Sequence, residues 1–360
     1  MNKESLRVVI AGGGTGGHVL PALVIAKTLQ DLRPGIQIDF VGTQRGIESK
    51  IVPRAGYPLH LLEITGLKGA GIKGLIWGLL RIPKALFQSF VLLRHLRPDA
   101  VLGVGGYASG PLVLSAAVSR IPTAIWEPNA FPGLTNRILG RFVKRIYCVY
   151  STAKAFFPSA RTVESGMPLR EGIEPRPRPA HSRLRVLVFG GSQGAKGIND
   201  AVSQAVEKGG AWQEQIELVH QTGEAHWQSV RNRYQSAPNR FEVQAFLHDM
   251  AERYAWADLI FCRAGAGTVA ELAAARKAAV LVPFPFAADN HQQHNAEALA
   301  KKGAAVMVLQ KDFNSDRFIQ LIEHFIRHKE EIQSLQERIA VFHQPHSADQ
   351  IAKDLLNFAR

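Results

Sequence analysis

Two glycine-rich segments of the chain have the residue types that bind phosphate groups. Residues 6–18 read LRVVIAGGGTGGH, and residues 184–195 read LRVLVFGGSQGA. In both, an apolar run typical of a β-strand ends in glycines, which permit a tight turn before a helix. The free N–H groups and the dipole at a helix N-terminus attract anions. The two segments therefore predict two similar α/β domains and a substrate that carries phosphate.

His18 directly follows the first group of glycines, at the predicted start of a helix. A helix N-terminus disfavours the imidazolium form, so a histidine there can stay neutral and accept a proton near neutral pH. Gly12, Gly14 and Gly17 also fit the dinucleotide-binding pattern G-x-G-x-x-G. That pattern is weak alone, and Asp39 lies inside the second strand rather than at its end, where a dinucleotide site expects an acid. We predict His18 as a catalytic base; the alternative is a histidine that caps or packs.

The rest of the chain must supply the sheets that hold these loops. Short apolar runs alternate with helical stretches in both halves, which is typical of buried parallel strands in an α/β fold. Residues 171–183, rich in proline and arginine, predict a linker between domains at 1–170 and 184–342, and residues 343–360 are predicted to be helical. The predicted strands are 8–11, 36–41, 100–104, 123–126, 146–150, 186–189, 216–220, 241–246, 259–262, 280–282 and 305–309.

The composition of the chain is consistent with two domains. The net charge is unevenly distributed between them. The 360 residues, 46% of them hydrophobic, exceed what one core usually organises. Residues 1–170 hold 21 Lys and Arg against 8 Asp and Glu, whereas residues 171–360 hold 22 of each kind, so the net charge of +13 arises in the first half. Such one-sided charge indicates an anionic partner, either a nucleic acid or an acidic membrane surface.

The cysteines and the apolar segments indicate a cytoplasmic protein without a membrane span. Cys148 and Cys262 each lie in an apolar run and are expected to be buried, reduced thiols. The first apolar run breaks at Gly12, which is too early for a signal peptide, and no segment offers about 20 uninterrupted apolar residues.

Seven separated motifs, in this order and spacing, resemble those of the MurG family of peptidoglycan N-acetylglucosaminyltransferases. The similarity runs from Leu6 to about Gly303 and is specific because all seven motifs agree. The motifs are GGGTGGHVLPALVIA, GVGGYASGPLVLSA, EPNAFPGLTNR, GGSQGA, FLHDM, CRAGAGTVAE and DNHQQHNA.

The resemblance implies a GT-B fold, in which two Rossmann-like domains with parallel sheets face each other across a cleft and the terminal helix returns to the first domain. It implies an inverting transferase that moves N-acetylglucosamine (GlcNAc) from UDP-GlcNAc to the 4-hydroxyl of N-acetylmuramic acid (MurNAc) in lipid I. Lipid I is undecaprenyl-pyrophosphoryl-MurNAc-pentapeptide, and the product is lipid II. The implied location is peripheral, on the cytoplasmic face of the bacterial inner membrane.

The resemblance also implies a donor site that uses no metal or other cofactor. The chain has no Asp-x-Asp motif, and residues 263–271, RAGAGTVAE, are predicted to open a helix whose N–H groups face pyrophosphate. Glu271 is expected on the ribose and Gln292 on the donor sugar. The alternatives are a carboxylate favoured early in a helix and, for Gln292 and Asn129, a capping or surface amide. The implied donor-binding residues are Thr15, Gly16, Gly17, Asn129, Arg170, Ser192, Leu247, Ala266, Gly267, Thr268, Val269, Ala270, Glu271 and Gln292.

Two positions depart from the pattern of the family. Pro128 stands where the family commonly reads E-Q-N, and Met167 where it reads G-N-P-x-R. Proline removes an amide donor and methionine removes a side-chain amide, so local contacts differ there. Asn129 and Arg170 themselves are kept.

The first domain offers a candidate membrane face and a candidate acceptor site. Residues 64–98 hold six Lys and Arg among apolar residues, with no acid, which suits a helix lying in a membrane interface. The alternative is an apolar stripe that packs in the domain. The membrane candidates are Ile72, Lys73, Leu75, Ile76, Trp77, Leu79, Leu80, Arg81, Lys84 and Phe87. In the glycine-rich turn 103–110, the candidates for the acceptor pyrophosphate are Gly105, Gly106, Tyr107 and Ser109.

Other functions remain open on the sequence. A UDP-GlcNAc 2-epimerase would share the fold and donor but needs no acceptor or membrane face, and a glycolipid synthase acting on diacylglycerol would share the membrane face. An NAD oxidoreductase rests only on the glycine fingerprint. A nucleic-acid-binding protein would explain the charge but not the second glycine loop, and the chain lacks a recognisable binding motif. We therefore expect no nucleic-acid partner.

Overall fold

The structure, a computed structural model, describes residues 6–64, 71–176 and 180–359, and for residues 71–81 it describes the backbone alone. The chain divides into two compact units. The amino-terminal unit comprises Met1–Arg170 and Gln344–Arg360, and the carboxy-terminal unit comprises Glu171–His343.

The amino-terminal unit contains a parallel sheet whose described strands have the order β3-β2-β1-β4-β5-β6-β7. Strands β1 and β4 are adjacent, and from this pair the chain adds strands outward in opposite directions across the sheet. The loops after these two strands therefore lie side by side. The strands are β1 Arg7–Gly12, β2 Gln37–Gly42, β3 Leu59–Leu61, β4 Ala100–Gly105, β5 Thr123–Glu127, β6 Arg145–Cys148 and β7 Thr162–Glu164. The helices are α1 Gly16–Leu32, α2 Glu48–Arg54, α3 Gly71–Leu96, α4 Ser109–Val118, α5 Leu134–Leu139 and, after the second unit, α13 Ser347–Phe358.

The core of this unit follows from its apolar strands. Val9 on β1 and Val101 on β4 are completely buried, as parallel strands covered on both faces require. The helix α13 packs against α1, and its Ile351 and Leu355 are completely buried.

The carboxy-terminal unit also contains a parallel sheet, and its described strands have the order β10-β9-β8-β11-β12-β13. Its strands are all parallel and its core is continuous around Val186, Phe261 and Phe318. The strands are β8 Leu184–Phe189, β9 Ile216–Gln221, β10 Phe241–Gln244, β11 Leu259–Cys262, β12 Ala278–Leu281 and β13 Val306–Met307. The helices are α6 Lys196–Lys208, α7 Glu224–Arg233, α8 Met250–Trp256, α9 Ala266–Ala274, α10 His291–Ala300, α11 Ser315–Arg327 and α12 Lys329–Ile339.

Both cysteines are buried in strands, which confirms their expected placement. Burial raises the pKa of the Cys148 thiol to about 12 and also raises the pKa of Cys262, so both thiols stay protonated. Within the described ranges, no helix combines the length and apolar character needed to cross a membrane.

Candidate functional site

The two glycine loops of the amino-terminal unit pack directly on each other. The N–H of Gly13, in the loop after β1, donates to the carbonyl of Gly105, at the end of β4, over 3.2 Å. Gly105 and Gly106 have φ angles of +99° and +84°, a conformation that favours glycine. A Cβ on Gly106 would lie 2.5 Å from the carbonyl oxygen of Gly13, so this close approach also requires glycine.

His18 lies where these two loops meet. It is the third residue of α1, after the N-cap residue Thr15, and its Nδ1 lies 3.3 Å from the Thr15 hydroxyl. Its ring covers the α-carbon of Gly105, because a Cβ there would lie 2.8 Å from both Cδ2 and Nε2 of the imidazole. The ring is half-buried. The structure therefore brings the candidate base against the candidate acceptor loop.

The candidate acceptor residues differ in accessibility. Gly105 and Gly106 are half-buried and Tyr107 is exposed, so these three are open to a ligand. Ser109, the first residue of α4, is completely buried, with its hydroxyl close to the α-carbon of Gly103. The structure thus separates Ser109 from the exposed part of the loop.

Glu48 is part of this site, although the sequence analysis did not select it. It begins α2, its side chain is 1% exposed, and its Oε2 accepts from the N–H of Gly14 over 2.7 Å. Its Oε1 accepts from both the N–H and the hydroxyl of Thr43, each at 2.9 Å. A buried carboxylate therefore occupies one amide of the first glycine loop. No motif signals it, because its partners lie five residues and 34 residues away in sequence.

The loop after β5 places Asn129 through a second buried carboxylate. Glu127 accepts from the N–H of Asn129 at 2.9 Å, from its side-chain amide at 3.2 Å, and from the amide of Asn136 at 2.9 Å. It also accepts from the N–H of Gly133, the N-cap residue of α5, so Asn129 is a loop residue and not a cap. Burial raises the pKa of Glu127 to about 7 despite these donors.

In the carboxy-terminal unit, the turn between β11 and α9 is held in place by Arg263. This guanidinium donates to the carbonyls of Val282 and Pro283, and lies over the Phe284 ring at 5.4 Å. Burial lowers its pKa to about 10, at which it remains charged near neutral pH. Gly265 is the N-cap residue of α9, so Ala266, Gly267 and Thr268 form the first turn, where helix N–H groups are open to an anion.

Glu271 lies in the second turn of α9 and not at its start. Its Oε2 accepts from the Tyr254 hydroxyl at 2.9 Å, and its side chain is half-buried. The dipole of the first turn therefore does not explain this carboxylate, and the Tyr254 hydroxyl fixes its orientation. The remaining donor candidates of this helix, Val269 and Ala270, are buried.

Gln292 follows a strained turn at the start of α10. Asp289 and Asn290 have φ angles of +53° and +52°, which are uncommon for residues other than glycine. Gln292 Oε1 accepts from the N–H of Phe284 at 3.0 Å, which ties the start of α10 to the loop after β12. Its amide therefore has a defined structural partner and is not a free surface group.

The other donor candidates lie in separate parts of the two units. Ser192 is exposed in the loop between β8 and α6, and Leu247 is buried after β10. Arg170 is exposed at the end of the amino-terminal segment of its unit, and Gly16 and Gly17 form the first turn of α1. Within the part of the chain that the structure describes, no group of three His, Cys, Asp or Glu side chains is placed to hold a metal ion.

The candidate membrane segment is described only in part. Residues Gly71–Leu96 of this segment form α3, and nothing is described of eight candidate side chains: Ile72, Lys73, Leu75, Ile76, Trp77, Leu79, Leu80 and Arg81. Phe87 is 69% exposed, and Phe90 and Val91 beside it are also exposed. Lys84 pairs with Glu63 at 2.6 Å, so this cation is neutralised by an acid just outside the segment. Residues 64–98 themselves contain no acid, so this ion pair depends on the neighbouring residue Glu63.

Comparison with known families matches most of the chain. The glycosyltransferase family 28 N-terminal domain matches residues 8–148, and the glycosyltransferase family 28 C-terminal domain matches residues 185–354. Two similar proteins are the UDP-N-acetylglucosamine--N-acetylmuramyl-(pentapeptide) pyrophosphoryl-undecaprenol N-acetylglucosamine transferases of Bdellovibrio bacteriovorus and Myxococcus xanthus. The first is 46% identical, covering 97% of this chain and 98% of that protein. The second is 43% identical, covering 96% and 91%.

Solved structures agree with the sequence matches. The crystal structure of Acinetobacter baumannii MurG has a TM-score of 0.81 and 32% identity, covering 98% of this chain and 99% of that chain. A UDP-N-acetylglucosamine 2-epimerase has a TM-score of 0.68 at 12% identity, covering 98% and 96%. The second similarity shows the fold alone.

Proposed function

The chain belongs to the MurG family within glycosyltransferase family 28, and from this membership we propose that it transfers GlcNAc from UDP-GlcNAc to lipid I. The acceptor is the 4-hydroxyl of MurNAc, and the product is lipid II. The observation that carries the proposal is the 46% identity to a named transferase over nearly the whole of both chains.

The donor half of the reaction belongs to the carboxy-terminal unit in this proposal. The first turn of α9 supplies N–H groups to the pyrophosphate of UDP, so that charge developing on the leaving group is stabilised without a metal. Glu271, oriented by Tyr254, accepts from the ribose hydroxyls. Gln292, tied to Phe284, presents its side-chain amide N–H to the donor sugar because its Oε1 is occupied.

The acceptor half belongs to the amino-terminal unit. His18 takes the proton of the attacking hydroxyl, since inversion in one displacement requires a base for the nucleophile. The helix N-terminus favours the neutral imidazole that this step needs. The exposed residues of the loop after β4 then receive the pyrophosphate of the acceptor, and Gly105 lies in contact with the His18 ring.

We also propose peripheral binding at the cytoplasmic face of the bacterial inner membrane. The undecaprenyl chain of lipid I stays in the bilayer, so the enzyme must approach the anionic surface. The exposed Phe87, Phe90 and Val91 on α3, followed by Arg94, fit a helix that lies in the interface.

A transfer assay tests the proposal against its alternatives. Radiolabelled UDP-GlcNAc is mixed with a short-chain lipid I analogue, and label is expected in the lipid product only when the acceptor is present. Conversion of UDP-GlcNAc to its 2-epimer without lipid would favour an epimerase instead, and labelling of diacylglycerol would favour a glycolipid synthase. Absence of label in the lipid II product at catalytic enzyme concentration contradicts the proposal.

A further inference from the structure

The amino-terminal unit holds an internal anion at its first glycine loop. Three neutral donors converge on the Glu48 carboxylate: the N–H of Gly14 at 2.7 Å, and the N–H and hydroxyl of Thr43, both at 2.9 Å. Hydrogen bonds of this kind are stronger than those between neutral groups, and leaving such donors buried without a partner is costly. The carboxylate therefore fixes both segments that contact it.

The backbone around this carboxylate is shaped to fit it. A Cβ on Gly13 or Gly46 would overlap the carboxyl group, and a Cβ on Gly42 would lie 2.5 Å from Glu48 Cγ. Glycine at these three positions thus lets two segments of chain, the loop after β1 and the segment from the end of β2 to α2, approach the carboxyl group within contact distance. These segments form a buried pocket around the carboxyl group.

The position of this pocket relates it to catalysis. Gly14 carries one of the amides that a G-x-G-x-x-G loop normally directs toward a ligand phosphate. Here that amide is already occupied from inside the protein. The next residue, Thr15, caps α1 and contacts His18, whose ring lies on Gly105. The amide that Glu48 holds is therefore only four residues from His18.

We propose that Glu48 is a positioning residue that substitutes for a bound anion and holds the first glycine loop in the conformation that places His18 against Gly105. Its catalytic consequence rests on the proposed function. Glu48 contacts no reacting atom; it acts through the loop and through Thr15.

Chemical rescue gives a direct test. Glu48→Ala leaves the three donors around a space of carboxylate size, which formate can enter. We expect the variant to lose turnover by about 10²-fold, the cost of a misplaced catalytic group, with a much smaller change in affinity for UDP. Formate should restore turnover saturably, whereas formamide, which is similar in shape but neutral, should not. Equal rescue by both, or by neither, would overturn the role of the anion.

A second readout is independent of activity. In the full-length chain with labelled histidine, the ring resonances of His18 should shift in Glu48→Ala and return toward the wild-type position with formate. Asp99→Ala is the matched control, since Asp99 accepts from the N–H of Arg7 at 2.8 Å at the amino-terminal ends of β1 and β4, opposite the loops that hold His18. It should leave the His18 resonances unchanged.

The outcomes separate this inference from the proposed function. If the wild-type chain transfers no GlcNAc, the proposed function fails, but the His18 resonances still test the position of Glu48. If Glu48→Ala does not fold, Glu48→Gln gives the turnover and His18 resonance measurements without the rescue, because its amide must direct N–H groups at one of the donors. A folded variant with wild-type turnover and unshifted His18 resonances would reject the inference.

Discussion

The imidazole of His18 lies directly on the α-carbon of Gly105, so close that a methyl group there would reach within 2.8 Å of Nε2. One loop carries the candidate base and the other the candidate acceptor site. Their contact follows from the sheet order, which makes β1 and β4 neighbours.

His18→Ala should lower turnover by about 10²–10⁴-fold, the usual contribution of a positioned base, while leaving UDP affinity nearly intact. The measurements are steady-state transfer to the lipid I analogue and calorimetry with UDP. Near-normal turnover in the folded variant would remove His18 from the mechanism. A loss confined to UDP binding would make it a donor-site residue.

Glu271→Ala should weaken UDP binding by about 10- to 100-fold, since a hydrogen bond to a charged group is worth about 1.5–3 kcal/mol. Tyr254→Phe should weaken it less, because the phenol only orients the carboxylate. Calorimetry measures the UDP affinity of both variants, and repeating it with EDTA tests whether the binding needs a metal ion. A requirement for magnesium in UDP binding would contradict the metal-independent donor site.

Changing Lys73, Arg81 and Lys84 to Glu should weaken binding to anionic vesicles and largely spare activity on a soluble acceptor. Each cation near the surface contributes about 1 kcal/mol, and Lys84 should contribute least because Glu63 already pairs with it. Co-sedimentation at increasing salt measures the loss. The control changes the exposed Lys301, Lys302 and Lys329 of the other unit to Glu. Equal loss in both variants would show a general charge effect and no membrane face.

Glu127 should make the protein less stable as pH rises from about 4.5 to about 7. Burial raises the pKa of its carboxyl from 4.5 to about 7, so in this window the folded chain keeps a proton that the unfolded chain has lost. The free energy of unfolding then falls by up to about 1.4 kcal/mol per pH unit. The free energy of unfolding is measured by urea titration at several pH values. Its decrease between pH 4.5 and pH 7 should be smaller in Glu127→Gln than in the wild type, and Asp99→Asn should keep the wild-type decrease. An identical decrease in Glu127→Gln would contradict the raised pKa.

The central strands of both sheets and the edge strands of the carboxy-terminal sheet could be predicted from the sequence, whereas the edge strands of the amino-terminal sheet could not. The run 259–262 coincides with β11, because a strand buried on both faces is a continuous apolar segment. The edge strands Leu59–Leu61 and Thr162–Glu164 have only three residues each, all partly buried or exposed, so neither forms a continuous apolar run that would predict a strand. Their pairing depends on the neighbouring strand more than on their own residues.

The motif residues of the site could also be predicted from the sequence, but the residues that hold them in position could not. His18 and Glu271 belong to motifs in the linear chain. The importance of Glu48 and Tyr254 depends on contacts with residues distant in sequence, so no local pattern of residue types indicates it.

The helix α13 has a consequence for synthesis of the protein on the ribosome. It is the last helix described in the chain, yet it belongs to the unit that is made first, where it covers α1 with the buried Ile351 and Leu355. Domains usually fold in the order in which they emerge. Here the carboxy-terminal unit can finish folding first, while the nascent amino-terminal unit keeps an apolar face of α1 uncovered until translation reaches residues 344–360. Chaperones that bind nascent chains should therefore remain on the first-made unit longer than on the second.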